Sequence, residues 1–169
     1  MKQKSKKKKR RGDSQTPAPP DLRAVIDIGS TSIRMVVAEI AKGVVVKSLE
    51  SLQQNVSIGH DTFTTGVISD STIEQCVEVM RSFSEILRQY NIIDSHAIRA
   101  VATSAVREAR NRETFIDRIF IATGIDVRAI DGTEVNRLTY FSILPLFKKF
   151  PSFRKGNLLV VEVGGGSRS

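Results

Sequence analysis

The chain has 169 residues, 40% of them hydrophobic and 26% charged, which fits one ordinary folded domain and excludes a second large one. Its net charge of +8 arises in the N-terminal tail, because eight of the 26 Lys and Arg residues precede the first acid, Asp13, and the other 18 equal the Asp and Glu residues in number. The basic charge therefore gives no support to a basic groove in the folded part.

Cysteine, histidine and hydropathy exclude several further classes of protein. The single cysteine, Cys76, rules out an intrachain disulfide, and one cysteine with two histidines cannot form a Cys/His zinc cluster. No apolar run approaches the length of about 18 residues that spans a bilayer. The basic N-terminus is followed by the polar residues 12–20 rather than by the apolar segment of a signal peptide. We therefore expect a cytoplasmic protein that does not enter a membrane.

Residues 1–20 combine a Lys/Arg run, Lys2–Arg11, with the segment GDSQTPAPP. Such a stretch buries too little apolar surface to offset the entropy of ordering it, which predicts a disordered basic tail. Two roles remain open for this tail. It contacts a polyanion such as nucleic acid, polyphosphate or an acidic membrane surface, or it is a solvated arm that aids solubility.

The folded part begins with three predicted strands. Residues 22–28 form a short run rich in Val and Ile that stops at Gly29, as a buried strand would. After the polar turn 29–32, residues 33–40 and 43–49 predict two further strands. Together the three strands form an antiparallel meander.

Helices and strands alternate in the rest of the chain. Cys76 and Met80 belong to the apolar face of a first helix, and Gly124 suits the left-handed end of a second. Pro145 is expected to break a third helix, and His96 to open a strand as a half-buried packing residue. In order, the predicted elements are helix 71–90, strand 96–102, helix 111–123, strand 125–130, a helix from residue 132 and strand 158–163.

This order, βββαβαβα followed by a lone strand and a glycine loop, predicts an α/β fold. Alternating strands and helices after an antiparallel opening indicate a mixed sheet with helices on its faces, whose parallel connections are right-handed.

Two loops of similar form, residues 27–32 and residues 162–167, are the best candidates for a functional site. In each, a strand with an acid near its end leads into a turn of small residues, whose N–H groups and hydroxyls can bind phosphate oxygens while the carboxylate holds Mg²⁺. Either loop alone is more typical of a hairpin turn, and neither has the Gly-Lys-Ser/Thr of a Walker loop. Their shared form favours phosphate binding, since two such loops can hold one phosphoryl group from opposite sides.

A third candidate element follows the predicted strand 96–102. Thr103 and Ser104 form a turn that leads into a helix and supplies N-cap oxygens. Arg107, about one turn later, can reach an anion near the strand end. The alternative for Arg107 is a surface ion pair with Glu108 or another neighbour.

Four segments in this order resemble the N-terminal half of the exopolyphosphatase/guanosine pentaphosphate phosphatase (Ppx/GppA) family: AVIDIGSTSIRMVVAEI, VATSAVREARNRETFIDRI, TGIDVRAIDGTEVNRLTY and LLVVEVGGGS. That family belongs to the superfamily of actin, sugar kinases and heat-shock chaperone ATPases, and the resemblance covers residues 22–167. It implies a ribonuclease H-like (actin-like ATPase) domain at residues 21–157. Residues 158–169 would then be the first strand and glycine loop of a second domain that is truncated here.

The resemblance also implies a substrate and a site. The family hydrolyses polyphosphate or guanosine penta/tetraphosphate by Mg²⁺-assisted attack of water on a terminal phosphoryl group. Carried onto this sequence, the metal-binding positions are Asp27 and Glu162, and Glu162 is one methylene longer than the family's aspartate. The phosphate-binding positions are Gly29, Ser30, Thr31, Ser32, Thr103, Ser104, Arg107, Gly164, Gly165, Gly166 and Ser167, with Thr31 in place of the family's asparagine.

Departures from the family pattern are concentrated at catalytic positions. The residue that the family uses as general base falls on Val135, which cannot accept a proton, and a further family acid falls on Ser169. Glu134 is the remaining nearby carboxylate and the candidate base.

Three hypotheses follow from these residues. The chain is the N-terminal half of an active hydrolase, or a catalytically impaired polyphosphate- or nucleotide-binding module, or a remnant without activity. An apolar strand at residues 158–163 needs pairing partners, so the chain is expected to be a fragment or to form a homo-oligomer through that strand.

Overall fold

The computed structural model describes residues 20–150 together with Leu159 and Val161. Its strands form one five-stranded sheet in the order β3-β2-β1-β4-β5. The first three strands are antiparallel neighbours, and β1, β4 and β5 run parallel. The strands are β1 (Asp21–Ile28), β2 (Ser32–Ala41), β3 (Val44–Asn55), β4 (Ile98–Ala102) and β5 (Val127–Ala129). The helices are α1 (Ile58–Thr65), α2 (Asp70–Gln89), α3 (Ser104–Glu108), α4 (Arg112–Thr123) and α5 (Gly132–Lys149). The predicted mixed sheet with helices is confirmed.

The core lies between one face of the sheet and helices α1–α4. Side chains alternate across a strand, so Ala24 and Ile26 of β1 are buried while Val25 between them is 51% exposed. Helices α2 and α4 pack side by side and bury Phe83 and Phe115 completely. Cys76 and Met80 lie in the same core, as the helical spacing predicted.

Two differences from the sequence prediction occur before residue 66. The third strand was predicted to end at residue 49 but continues to Asn55, because its second half pairs with the start of β2. β3 is an edge strand in which no residue is buried. Its last residues, SLQQN, therefore lack the alternating apolar pattern by which a strand is recognised. Helix α1 was not predicted, because a helix of eight residues with a glycine shows too little periodicity.

The later differences concern one proline and two strand starts. Helix α5 continues through Pro145, contrary to the prediction that it breaks there. Pro145 has no N–H to donate to the carbonyl of Phe141. Residues 140–142 are exposed, so water can bind that carbonyl instead. His96 lies exposed in a 3₁₀ turn (Ser95–Ala97) rather than half-buried in a strand. The strand predicted over residues 125–130 is limited to β5, because β5 pairs only with Ala100–Ala102.

Several predictions fall on residues that the structure does not describe. The basic tail up to residue 19 and the glycine loop 162–167 lie outside the described residues. Of the predicted strand 158–163, only Leu159 and Val161 are described, and both are exposed. Within the described part of the chain, no helix has the length and apolar character needed to cross a membrane.

Candidate functional site

The turn Gly29–Thr31 connects β1 to β2 at one edge of the sheet and lies beside the start of α3. β1 and β4 are parallel and Ile28 pairs with Ala102, so the loops that follow the two strands meet at the same edge. The backbone N–H of Thr103 donates to the carbonyl of Ile28 over 3.2 Å. The hydroxyl oxygens of Ser30 and Ser104 are 3.5 Å apart. The structure therefore brings two of the predicted phosphate-binding elements together.

The carbonyl groups of this turn are held by the segment that leads into α1. Val56 N–H donates to the Thr31 carbonyl (3.0 Å) and Gly59 N–H to the Ser30 carbonyl (2.8 Å). Gly29 N–H donates across the turn to the Ser32 carbonyl (2.9 Å). Within the described residues, the N–H groups of Ser30 and Thr31 have no acceptor. Two backbone donors in a row, with their carbonyls held elsewhere, are suited to binding an anion.

Gly59 contacts the candidate site and is not among the residues that the sequence prediction named. A Cβ at this residue would lie 2.8 Å from Cβ of Ser30 and 3.2 Å from the Ser30 carbonyl oxygen. Only glycine therefore lets α1 approach the turn without displacing it. The sequence feature that could have indicated this contact is the isolated glycine in Ser57-Ile58-Gly59. Glycine weakens a helix, so its presence there suggests that another group approaches closely.

The remaining residues of the two elements differ in accessibility. Ser30 is half-buried, Thr31 is exposed and Ser32 is buried. Thr103 occupies the N-cap position of α3, but its side chain makes no capping hydrogen bond, contrary to the prediction. The open side of the site is therefore formed by the turn Gly29–Thr31 and the side chain of Ser104.

Arg107 connects α3 to the chain that follows β5. One guanidinium nitrogen donates to the Ile130 carbonyl over 3.0 Å, and another lies 3.4 Å from a Glu108 carboxylate oxygen. The ion pair with Glu108, which the sequence left as the alternative, is therefore present. A guanidinium has five N–H donors, so further donors remain for an anion, and the side chain is 29% exposed.

Glu134 is held in an ion pair at the start of α5. Asp131 caps this helix, because its carboxylate accepts from the Glu134 N–H over 2.8 Å. Two nitrogens of Arg137 contact the two carboxylate oxygens of Glu134 at 2.7 and 2.6 Å. The hydrogen bonds from Arg137 and its charge lower the pKa of Glu134, which makes Glu134 a weaker base. The next residue, Val135, provides no proton acceptor.

Asp27 is half-buried on β1, directly before the turn. It faces the side of the sheet opposite to Ile26 and Ile28 and is paired in register with Arg34. Among the described residues, no group of three or more His, Cys, Asp or Glu side chains forms a metal site. One carboxylate beside a candidate phosphate-binding turn nevertheless fits Mg²⁺, which keeps several waters and commonly binds one or two carboxylates together with substrate phosphates. The second predicted ligand, Glu162, lies outside the described residues.

The sequence profile of the Ppx/GppA phosphatase family matches residues 24–168. A bifunctional 3-dehydroquinate synthase/phosphatase of Fusobacterium nucleatum is 30% identical over 150 residues, which are 86% of this chain and 22% of that protein. Exopolyphosphatase 1 of Mycobacterium bovis is 25% identical over 85% of this chain and 40% of its own length. A guanosine-5'-triphosphate,3'-diphosphate pyrophosphatase of Vibrio atlanticus is 29% identical over 91% of this chain and 29% of its own length.

A solved structure is similar to the described fold. The crystal structure of the Aquifex aeolicus member of the Ppx/GppA protein family superimposes with a TM-score of 0.67 and 28% sequence identity. The similarity covers 74% of this chain and 40% of that one, so the chain spans less than half the length of these related proteins. Since the family profile covers most of the chain and the fold agrees, this protein belongs to the Ppx/GppA phosphatase family.

Proposed function

We propose that the chain supplies the N-terminal, phosphate-binding half of a phosphoanhydride hydrolase that acts on linear polyphosphate or guanosine penta/tetraphosphate. The observation that carries this proposal is the meeting of the Gly29–Thr31 turn with the start of α3, where the hydroxyls of Ser30 and Ser104 are 3.5 Å apart and, among the described residues, the N–H groups of Ser30 and Thr31 have no acceptor. The relatives named as an exopolyphosphatase and as a guanosine-5'-triphosphate,3'-diphosphate pyrophosphatase support the two substrate classes.

In this proposal each residue has a defined role toward the substrate. The N–H groups of Ser30 and Thr31 and the hydroxyl of Ser104 bind oxygens of the terminal phosphate, and Arg107 adds charge-assisted donors. Gly164, Gly165, Gly166 and Ser167 bind the same phosphate from the opposite side. Asp27 and Glu162 hold Mg²⁺, which when bound neutralises charge on the phosphate oxygens. Water attacks the terminal phosphorus in line with the leaving oxygen.

The attacking water needs a base to take its proton, and the described residues offer a poor one. This favours a second candidate function. Val135 cannot accept a proton, and the carboxylate of Glu134 is held by two hydrogen bonds from Arg137. Loss of a positioned base typically slows hydrolysis by about 10²- to 10⁴-fold. The second candidate is therefore a module that binds polyphosphate or a phosphorylated guanosine nucleotide and does not turn it over.

One experiment separates the two candidates. The full chain is titrated with tripolyphosphate and with guanosine tetraphosphate in a calorimeter, with Mg²⁺ and again with EDTA, and released phosphate is measured in the same samples. Saturable binding with phosphate release supports the hydrolase, and binding without release supports the binding module. Absence of binding to both compounds in the presence of Mg²⁺ would overturn both candidates.

Matched arginine variants locate the binding. Arg107→Gln should weaken tripolyphosphate binding about tenfold or more, because it removes a charge-assisted contact. Arg112→Gln, which removes an exposed arginine paired only with Glu113, should leave binding unchanged. Circular dichroism melting of both variants shows whether each remains folded. Equal affinity of the two folded variants would remove Arg107 from the phosphate site.

The proposal also assigns a role to the basic tail, partners to the strand 158–163 and a location in the cell. The tail Lys2–Arg11 strengthens the hold on a long polyanion, so deleting residues 2–11 should flatten the dependence of polyphosphate affinity on salt. An unchanged salt dependence would make the tail a solubility arm. The strand 158–163 has two alternative partners, the rest of a longer protein or a second copy of this chain, and sedimentation equilibrium would detect the second as a dimer. The cytoplasm is the proposed location, which fractionation of the source cells would test.

A further inference from the structure

A cavity of about 300 Å³ lies at the end of β4 opposite to the phosphate-binding turn. It is bordered by the C-terminal ends of α2 and α4 and by the first residues of β4 and β5. β4 runs from Ile98, which lines the cavity, to Ala102, which precedes the phosphate-binding Thr103. The cavity lining extends along β4 to Val101 but includes none of residues 29–32, Thr103, Ser104 and Arg107, so the cavity is separate from the candidate phosphate site.

The cavity lies where β4 extends beyond its pairing with β5. The pairing begins at Ala100 and Val127, so Ile98 and Arg99 of β4 have no partner on β5. After α2 ends at Gln89, the chain changes direction at Asn91, whose φ of 57° is left-handed. The N–H of Ile92 then donates to the Leu87 carbonyl over 2.9 Å, which is the hydrogen bond of a Schellman motif and directs Ile92 inward.

The cavity has an apolar floor. Leu87, Ile92, Ala100 and Ile125 line it, and each is 5% exposed or less. These residues come from the end of α2, the following connection, β4 and the connection before β5, so the floor is held by packed elements. A preformed apolar floor is the usual base of a small-molecule site, and the volume lies at the lower end of the range of about 300–1,000 Å³ typical of such sites.

The wall of the cavity is positively charged. Arg88, Arg99 and Arg128 line it, against one acid, Asp126, which pairs with Arg128 at 3.6 Å. In the part of the chain that the structure describes, Arg88 and Arg99 have no ion-pair or hydrogen-bond partner for their side chains. The C-terminal ends of α2 and α4 add a negative partial charge of roughly half an elementary charge each, which leaves the wall positive because it carries three arginines against one acid.

We propose that this cavity binds a small organic anion with one phosphate or carboxylate group and an apolar or planar body. The anionic group is bound by Arg88 and Arg99, whose guanidinium groups suit bidentate contact with either kind of oxygen anion. The body lies on the floor formed by Leu87, Ile92, Ala100 and Ile125. A ligand of this kind would occupy the end of β4 that is remote from the phosphate-binding turn.

The test is a titration of the full, isotope-labelled chain followed by ¹H–¹⁵N NMR. The probes are adenosine 5'-monophosphate, with a phosphate group, 2-naphthoate, with a carboxylate, and uncharged adenosine. At least one anionic probe should shift the amides of Ile92, Val101 and Gly124 in a saturable way, and adenosine should bind at least about tenfold more weakly than its monophosphate. Comparison of the two anionic probes shows which head group the cavity prefers.

Charge-matched variants complete the test. The double substitution Arg88→Gln with Arg99→Gln should weaken binding of the preferred probe by about tenfold or more. The control, Arg81→Gln with Arg118→Gln, removes two exposed arginines outside the cavity and should leave the affinity unchanged. The proposal is wrong if no anionic probe shifts these amides, if shifts are confined to Gly29–Ser32, if the monophosphate binds and adenosine binds equally well, or if the double variant keeps wild-type affinity while folded.

Discussion

Replacing Gly59 with alanine should perturb the turn Gly29–Thr31, the proposed phosphate-binding element, through one methyl group. The new Cβ would lie 2.8 Å from Cβ of Ser30 and 3.2 Å from both the Ser30 carbonyl oxygen and a ring carbon of Phe63. Carbon atoms in contact are normally about 3.5–4.0 Å apart, so Ser30 has to move by roughly 0.7 Å or more. The Gly59 N–H holds the Ser30 carbonyl at 2.8 Å, so this movement also strains that hydrogen bond.

The stability effect of Gly59→Ala is the balance of two terms. Overpacking of a buried contact costs about 1–3 kcal/mol. Alanine is favoured over glycine in a helix by about 1 kcal/mol, which offsets part of this cost. We expect a net loss of about 0–2 kcal/mol, which corresponds to a Tm lower by up to roughly 8 °C. Differential scanning calorimetry measures the change.

The binding effect should exceed the stability effect. A displacement approaching 1 Å in a positioning element can cost about 10²-fold, so tripolyphosphate affinity should fall between about tenfold and a hundredfold. Gly132→Ala is the matched control, because a Cβ there meets nothing within 4 Å. The reasoning is refuted if Gly59→Ala binds tripolyphosphate and melts as Gly132→Ala does.

Three further predictions concern single ionisable groups. Arg137→Ala removes the hydrogen bonds and the charge that lower the pKa of Glu134, so that pKa should rise in an NMR titration of its carboxyl carbon, and an unchanged value would contradict the pairing. The hydrogen bond from the Ser69 side chain lowers the pKa of Asp61 in the folded protein. The ionised Asp61 therefore stabilises the fold fully above its unfolded-state pKa, and this contribution is lost as the pH falls through its folded-state pKa. In urea unfolding at acid pH, Asp61→Asn should therefore lose less stability than the wild type as the pH falls. Burial raises the pKa of Cys76 to about 12, so iodoacetamide should alkylate this thiol only after unfolding, and rapid alkylation of the native protein would show that the core opens.

Part of the fold and of the site was predictable because the signals are local. β1 and β2 carry period-two apolar runs, and α2 has a capping serine, Ser69, and apolar residues at helical spacing. The turn Gly29–Thr31 is recognisable from a strand that ends in small polar residues. Gly124, with φ of 73°, ends α4 as its residue type predicted. These features depend on neighbours within a few positions along the chain.

What the sequence by itself determined was therefore the alternation of strands and helices, the turn of small residues between β1 and β2, and the family that the motifs resemble. The tertiary structure alone decided the length of β3, which depends on pairing with β2, and the course of α5 through Pro145. It also decided the use of Gly59 as a contact surface for Ser30, the bond from Arg107 to the Ile130 carbonyl and the cavity beside Arg88. Each of these depends on residues distant in sequence, whose contacts are set by packing and by sheet register rather than by local propensity.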